Sequence, residues 1–204
     1  MGIRRQLNTF EKNVLEGVGM KYNGLVWLEL GNQRNRMHNK PAKIIYESRG
    51  VKHTSIDLNG KHGALPFNLD EPLPEEYTDR FNVVTNYGTI EHVNNQYQVF
   101  KTVHDSCKMD GVMIHGFPMK DTFAGHCRYY YPEIFSDYLS RYAVYEIIAQ
   151  EIIDFSAYGR KRYLLTVGFK KTGSYPFISE KEFAELPIHD SGNTKRTGNY
   201  NAKK

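Results

Sequence analysis

Apolar residues along the chain switch between helical spacing and short unbroken runs, and the switches mark the elements. Phe10, Val14, Leu15 and Val18 recur three and four positions apart, which predicts a helix over residues 8–20, with Thr9 near its start and Gly19 near its end. Leu25 to Leu28 is continuously apolar, the mark of a strand buried on both faces of a covered sheet. Further strands are predicted over residues 51–56, 64–69, 81–85 and 111–117, the last ended by Pro118. Residues 32–43 are polar and basic, and a helix can begin at or after Pro41 because proline is tolerated in a first turn. Val99, Phe100 and Val103 mark a helix running to about Lys108 and closed by Asp110 and Gly111. Residues 132–142 read as another, with Ile134, Phe135, Tyr138 and Leu139 inward. Residues 145–153 and 163–169 are rich in β-branched and aromatic groups and fit an antiparallel pair at the sheet edge. Loop follows from Gly173, with a short helix at residues 180–185 and disorder after Asp190.

The polar residues that end these strands carry the chemistry. The first run stops at Glu29 and Gly31, the second at Asp57 with Asn59 and Gly60 behind it, and the fourth at Asn86, Tyr87, Gly88 and Thr89. In an open α/β sheet ligands bind beyond the carboxyl ends of strands, so acids and glycines there belong to a mouth. Asp57 lies 26 positions after Gly31, close to the spacing at which an acid grips ribose hydroxyls in a βαβ unit. One carboxylate supplies acceptors for two hydroxyls. Each exit taken singly also reads as an ordinary surface turn, with Asp57 capping the turn before Asn59 and Gly60.

Composition changes this picture little. The 204 residues suit a single domain, residues 1–190 with a core at about 24–172, and no apolar run approaches the roughly 20 residues of a membrane span. The opening MGIRRQLNTF has charge without a following apolar region, and Gln6 departs from the myristoylation pattern. A cytoplasmic protein with no membrane partner is expected. The two cysteines, Cys107 and Cys127, have no metal-binding spacing and fit a reducing compartment, Cys107 on a helix and Cys127 exposed in a loop. Of the net charge of +4, three units sit from His189 onward, where Lys195, Arg196, Lys203 and Lys204 face Asp190. Residues 191–204 therefore read as a flexible basic tail, and the body lacks the charge of a nucleic-acid-binding surface.

Taken together, ELGNQ after the first strand, IDLNG after the second and FNVVTNYGTIEHV around the fourth resemble the class I S-adenosylmethionine-dependent methyltransferases. The later GVMIHGFP and HCRYYYPEIF are similar to the same superfamily, and the likeness spans roughly residues 24–171. The resemblance implies a doubly wound α/β fold, one mostly parallel seven-stranded sheet with helices on both faces and the last strand antiparallel. It implies S-adenosylmethionine as cofactor and S-adenosylhomocysteine as product. Glu29 and Gly31 would lie by the methionine part, Asn32 among the cofactor-binding residues, Asp57 on the ribose and Leu58 against adenine. Asn68 and Leu69 would sit near the adenine edge, and the backbone of Asn86, Tyr87 and Gly88 would line the path to the sulfonium. Gln33 stands where the family usually has a second glycine; its side chain narrows backbone approach but can itself bond the cofactor. The glycine triplet that cradles a pyrophosphate is missing, which places a nicotinamide oxidoreductase behind a methyltransferase.

An oxygen acceptor must lose a proton, and an imidazole near its neutral range suits that task. His126, in a loop with Arg128, Tyr129 and Tyr130, is the first candidate base and His115 the second; His92 beside Glu91 reads as support for a helix start. Asn86 is followed by Tyr87 and Gly88 rather than by prolines, and neither cysteine follows a proline, so the signatures of DNA-base methylation are absent. The expectation is methyl transfer to a small polar acceptor, an oxygen of a sugar or related metabolite. The alternative is a non-catalytic binding protein that keeps the cofactor fold, and Gln33 is the residue that favours it.

Overall fold

The computed structural model describes residues 2–198; the end of the basic tail, residues 199–204, lies outside the described residues. Six strands form the central sheet: β1 (Val26–Leu30), β2 (Lys52–Ile56), β3 (Phe81–Tyr87), β4 (Cys107–Pro118), β5 (Tyr145–Asp154) and β6 (Tyr163–Lys171). Their order is β2-β1-β3-β4-β6-β5. The first four pair in parallel, whereas β6 runs antiparallel to β4 and to β5. Among the described residues the sheet has six strands and not seven. The apolar run at 64–69 makes one bridge, Leu65 to Ile56, through Leu65 N donating to the Ser55 carbonyl at 2.8 Å and Asp57 N to the Leu65 carbonyl at 3.0 Å, and does not extend into a strand.

Adjacent strand residues point to opposite faces, and the sequence places apolar groups at both. Trp27, Val83, Val112 and Ile114 pack with Leu7, Phe10 and Val14 of α1 (Arg5–Gly17) and Tyr46 of α2 (Ala42–Ser48). Leu28, Val84 and Met113 pack on the other face with α3 (Gln96–Ser106), α4 (Phe135–Ala143) and α5 (Glu180–Ala184). Gly168 of β6 lets α1 approach, since a Cβ there would meet Val14 Cγ2 at 2.6 Å.

Four sequence expectations are corrected. The third helix stops at Ser106, so Cys107 begins β4 on the sheet and is not helical. Cys127 is fully buried, its Sγ donating to the Tyr129 carbonyl at 3.2 Å, so it is no exposed thiol. Of the four residues expected inward at α4, Phe135 and Leu139 are buried, and Ile134 and Tyr138 are exposed. The strand at 163–169 lies inside the sheet, with β5 at the edge.

The α1 face is organised by a charge-bearing group with no exposure. Glu11 accepts hydrogen bonds from the hydroxyls of Tyr22 at 2.8 Å, Tyr46 at 2.6 Å and Tyr87 at 2.9 Å. Burial raises its carboxyl above the ordinary range, and the three hydroxyls oppose that rise. One carboxylate thus ties α1 to the loop before β1, to α2 and to the end of β3. Glu11→Ala leaves two buried hydroxyls and the half-buried one of Tyr22 without their acceptor, so a loss of about 3 kcal/mol is expected in urea unfolding, with Glu11→Gln milder. A loss below about 1 kcal/mol would show that the hydroxyls find other partners.

Candidate functional site

Parallel pairing sends the loops after β1, β2 and β3 out of one edge of the sheet. Leu30 lies level with Ile56 on one side and with Asn86 on the other. The loops are then tied to each other: Gly31 N donates to the Ile56 carbonyl at 2.7 Å, and Asn32 N to Asp57 Oδ2 at 2.9 Å. Asp57 Oδ1 accepts from Asn59 N at 3.0 Å. Asn86 Oδ1 accepts from the backbone of Thr89 and Ile90, both at 3.0 Å, which turns the chain sharply after β3.

A cavity of about 220 Å³ opens at this edge. Seven of the residues assigned to the cofactor from the sequence line it, namely Asn32, Gln33, Asp57, Leu58, Asn68, Leu69 and Gly88, together with Phe67, Thr89 and His92. The others lie behind or away from it. Gly31 adopts φ +82°, and a Cβ there would strike Thr89 Oγ1 at 2.2 Å and Gln33 Nε2 at 2.8 Å. Glu29 is buried beneath Gln33, its Oε2 accepting from Gln33 N at 3.3 Å. Asn86 serves the turn. The Tyr87 side chain points to the opposite face and bonds Glu11, so only the backbone following it approaches the cavity.

Glu29 also meets His53, Oε2 to Nε2 at 3.6 Å. Burial pushes the Glu29 carboxyl well above its usual range and the His53 imidazole down to about 3, so both favour their neutral forms and the contact is polar rather than ionic.

The two histidines expected as bases separate. His115 is buried in β4, stacked on Phe117 at 4.9 Å and Phe100 at 6.2 Å, and faces the core rather than the mouth; this corrects its expected position. The ladder sets it level with Asn86, but the pleat turns its ring to the α3 face. His126 lines a second, larger cavity of about 950 Å³. That cavity is strongly basic, with Arg4, Arg36, Arg160, Lys161, Arg162 and Arg196 against Asp121.

Between the cavities stands a cluster that sequence patterns do not assemble. Glu91 and His92 occupy the turn after β3 and meet His126, with one ligand-type atom from each within 4.8 Å of the others. The His92 and His126 rings are 5.1 Å apart, nearly perpendicular. Burial holds both imidazoles down at about 4 and raises the Glu91 carboxyl to about 7. His92 does not support a long helix; it lies in a single short turn, with Gln96 Nε2 donating to the Ile90 and Val93 carbonyls at 2.9 and 2.8 Å. The adjacency of an acid and a histidine immediately after a strand exit is the signal the chain offers for it.

The segment after Asp190 closes over this cluster as far as it is described. His189–Asp190 pairs with Tyr129–Tyr130, and Asp190 holds Arg128 through Nε at 2.9 Å and Nη2 at 2.7 Å. Gly198 N then donates to the His92 carbonyl at 2.9 Å. Among the described residues no helix is long and apolar enough to cross a membrane.

No protein-family model matches the chain, and no curated protein sequence matches it. Solved structures do. A Burkholderia thailandensis 1,6-didemethyltoxoflavin-N1-methyltransferase, solved with S-adenosylhomocysteine, is 15% identical over 83% of this chain and 82% of its own, with a TM-score of 0.56. The 16S rRNA (adenine(1408)-N(1))-methyltransferase of Catenulisporales acidiphilia is 9% identical over 79% and 93%, TM-score 0.52. A 4+2 cyclase, SpnF, is 12% identical over 85% and 84%, TM-score 0.60. The chain therefore has the fold of class I S-adenosylmethionine-dependent methyltransferases, a fold that in these three proteins accompanies a small-molecule methylation, an rRNA methylation and a cyclisation.

The placement of His115 has a pH signature. Burial lowers its imidazole from 6.5 to about 3, so below pH 6.5 the unfolded chain binds a proton that the folded chain refuses. The stability of the native protein relative to a His115→Phe variant should fall by about 1.4 kcal/mol per pH unit in the middle of that window and be level above pH 7. Urea unfolding of both proteins from pH 4.5 to 7.5 reads this difference; a flat difference would mean that His115 is solvated.

Proposed function

We propose that the chain binds S-adenosylmethionine in the cavity beyond β1, β2 and β3 and transfers its methyl group to a small polar acceptor, an oxygen of a sugar or related metabolite. The observation that carries this reading is the meeting of three neighbouring strand exits on one cavity whose wall holds Asp57. Each Asp57 oxygen accepts one backbone N–H, at 2.9 and 3.0 Å, and a carboxylate with about four lone-pair sites keeps capacity for two ribose hydroxyls. Leu58, Phe67 and Leu69 offer apolar walls for a purine, and Asn68 an amide for its edge. The nucleoside half fits these residues. At about 220 Å³ the cavity is below the roughly 300 Å³ at which ligand pockets usually begin, and the missing volume is on the methionine side, where Gln33 stands. Its amide is held to Thr89 Oγ1 by a long 3.4 Å bond, so a rotation of Gln33 opens that side, and the amide becomes a donor to a carboxylate there.

When bound, the cofactor supplies a methyl carbon activated by a positive sulfur, which keeps the bonding electron pair as the acceptor oxygen takes the methyl group. The protein's residues position the partners and exclude water. The acceptor enters from the second cavity, and its basic lining favours an acceptor that carries negative charge. His126, which lines that cavity and whose Nε2 is buried without a hydrogen-bond partner among the described residues, is the candidate to take the acceptor's proton when no cation occupies its nitrogen.

A second reading, binding without methyl transfer, draws support from Gln33 filling the methionine side and from the cyclase that shares the fold. Calorimetry with S-adenosylhomocysteine separates the readings. Binding is expected, weakened by about 1–3 kcal/mol in Asp57→Ala and by less in Asp57→Asn. Absence of binding contradicts the proposal, and binding with no turnover across anionic sugar acceptors supports the second reading.

A further inference from the structure

We infer that Glu91, His92 and His126 form a binding site for a divalent transition-metal ion in the wall between the two cavities. Three features of the cluster point to a cation. Glu91 has no solvent exposure, and among the described residues neither carboxylate oxygen has a hydrogen-bond partner in another residue, the costly state that a bound ion relieves. His126 Nε2 is likewise buried without a hydrogen-bond partner among the described residues. His92 is oriented as a ligand: its Nδ1 donates to the Arg196 carbonyl at 2.7 Å, which fixes the tautomer with a lone pair on Nε2, the nitrogen 4.0 Å from Glu91 Oε1.

The donor set is chemically apt. Two imidazoles and one carboxylate, with a coordination position left open, suit zinc in a catalytic type of site and other first-row divalent ions. Ligand atoms around a tetrahedral zinc ion stand about 3.4 Å apart, so a spread within 4.8 Å closes by small side-chain rotations. His92 faces the first cavity and His126 the second, which gives an ion a path in and an open position toward an acceptor. The site stands on these residues alone. Its role, holding and acidifying the acceptor oxygen, rests on the methyltransferase reading and takes the place of proton removal by His126, because a nitrogen lone pair that holds an ion cannot also accept a proton.

The test uses the full chain, freed of metal by chelator and dialysed, titrated calorimetrically with Zn²⁺ and spectroscopically with Co²⁺. One equivalent of Zn²⁺ is expected, with the visible bands of a low-coordinate Co²⁺ ion, and binding at least about tenfold weaker in Glu91→Gln and in His126→Ala. Circular dichroism checks that each variant folds, and the Co²⁺ bands of the unaltered protein read the site without any variant. No stoichiometric Zn²⁺ binding, or binding unchanged in both folded variants, overturns the proposal. S-adenosylhomocysteine is titrated into the same metal-free protein. Zn²⁺ binding without nucleoside binding supports the metal site and overturns the cofactor reading, and nucleoside binding without Zn²⁺ binding does the reverse.

Discussion

The parallel pairing of β2, β1 and β3 is the constraint on which the site depends. Parallel strands share a direction, so their carboxyl ends must leave the sheet at one edge, and loop residues 25 to 59 positions apart along the chain come within hydrogen-bonding distance. Asp57 converts that neighbourhood into a fixed wall by accepting from the loop of β1 and from its own loop at once. Covering both sheet faces with helices is what permits the parallel arrangement, and the apolar pairs Trp27 and Leu28, Val83 and Val84 are its imprint in the chain.

Buried polar groups divide into those that hold the fold and those that await a partner. Glu11 belongs to the first kind, with three tyrosine hydroxyls on its carboxylate. Glu91 belongs to the second, equally buried yet without a hydrogen-bond partner in another described residue, beside two histidines that each line a cavity. The contrast is informative because both sit under the same desolvation penalty. Glu29 is intermediate: it accepts one backbone bond from Gln33 while its Oε1 has none, just beneath the side chain that narrows the cavity.

Periodicity and strand-exit chemistry make the alternation of strands and helices legible, and Asp57 and Gly88 can be assigned to one edge because a parallel sheet leaves few places for such residues, whereas Leu58 and Asn68 are placed beside them only by the family resemblance. What the chain does not disclose depends on tertiary packing. The run at 64–69 has strand composition, but only Leu65 bonds the neighbouring strand, in a single bridge. His115 reads as facing the mouth, although a one-residue difference in pleat turns it into the aromatic core. Cys127 has the setting of a loop thiol, but its loop folds inward onto Tyr130. Glu91 and His92 are visible as an unusual pair, yet their meeting with His126 requires the loop after β4 to close across the end of β3, which no local pattern encodes.

That the shared edge of β1, β2 and β3 receives an adenosyl group is tested most directly by a crystal structure of the chain grown with S-adenosylhomocysteine. Ribose hydroxyls on Asp57, the purine between Leu58 and Leu69, and the Gln33 amide rotated from its contact with Thr89 are the expected result. A nucleoside bound elsewhere on the protein, with Gln33 unmoved and Asp57 joined to backbone alone, would contradict it.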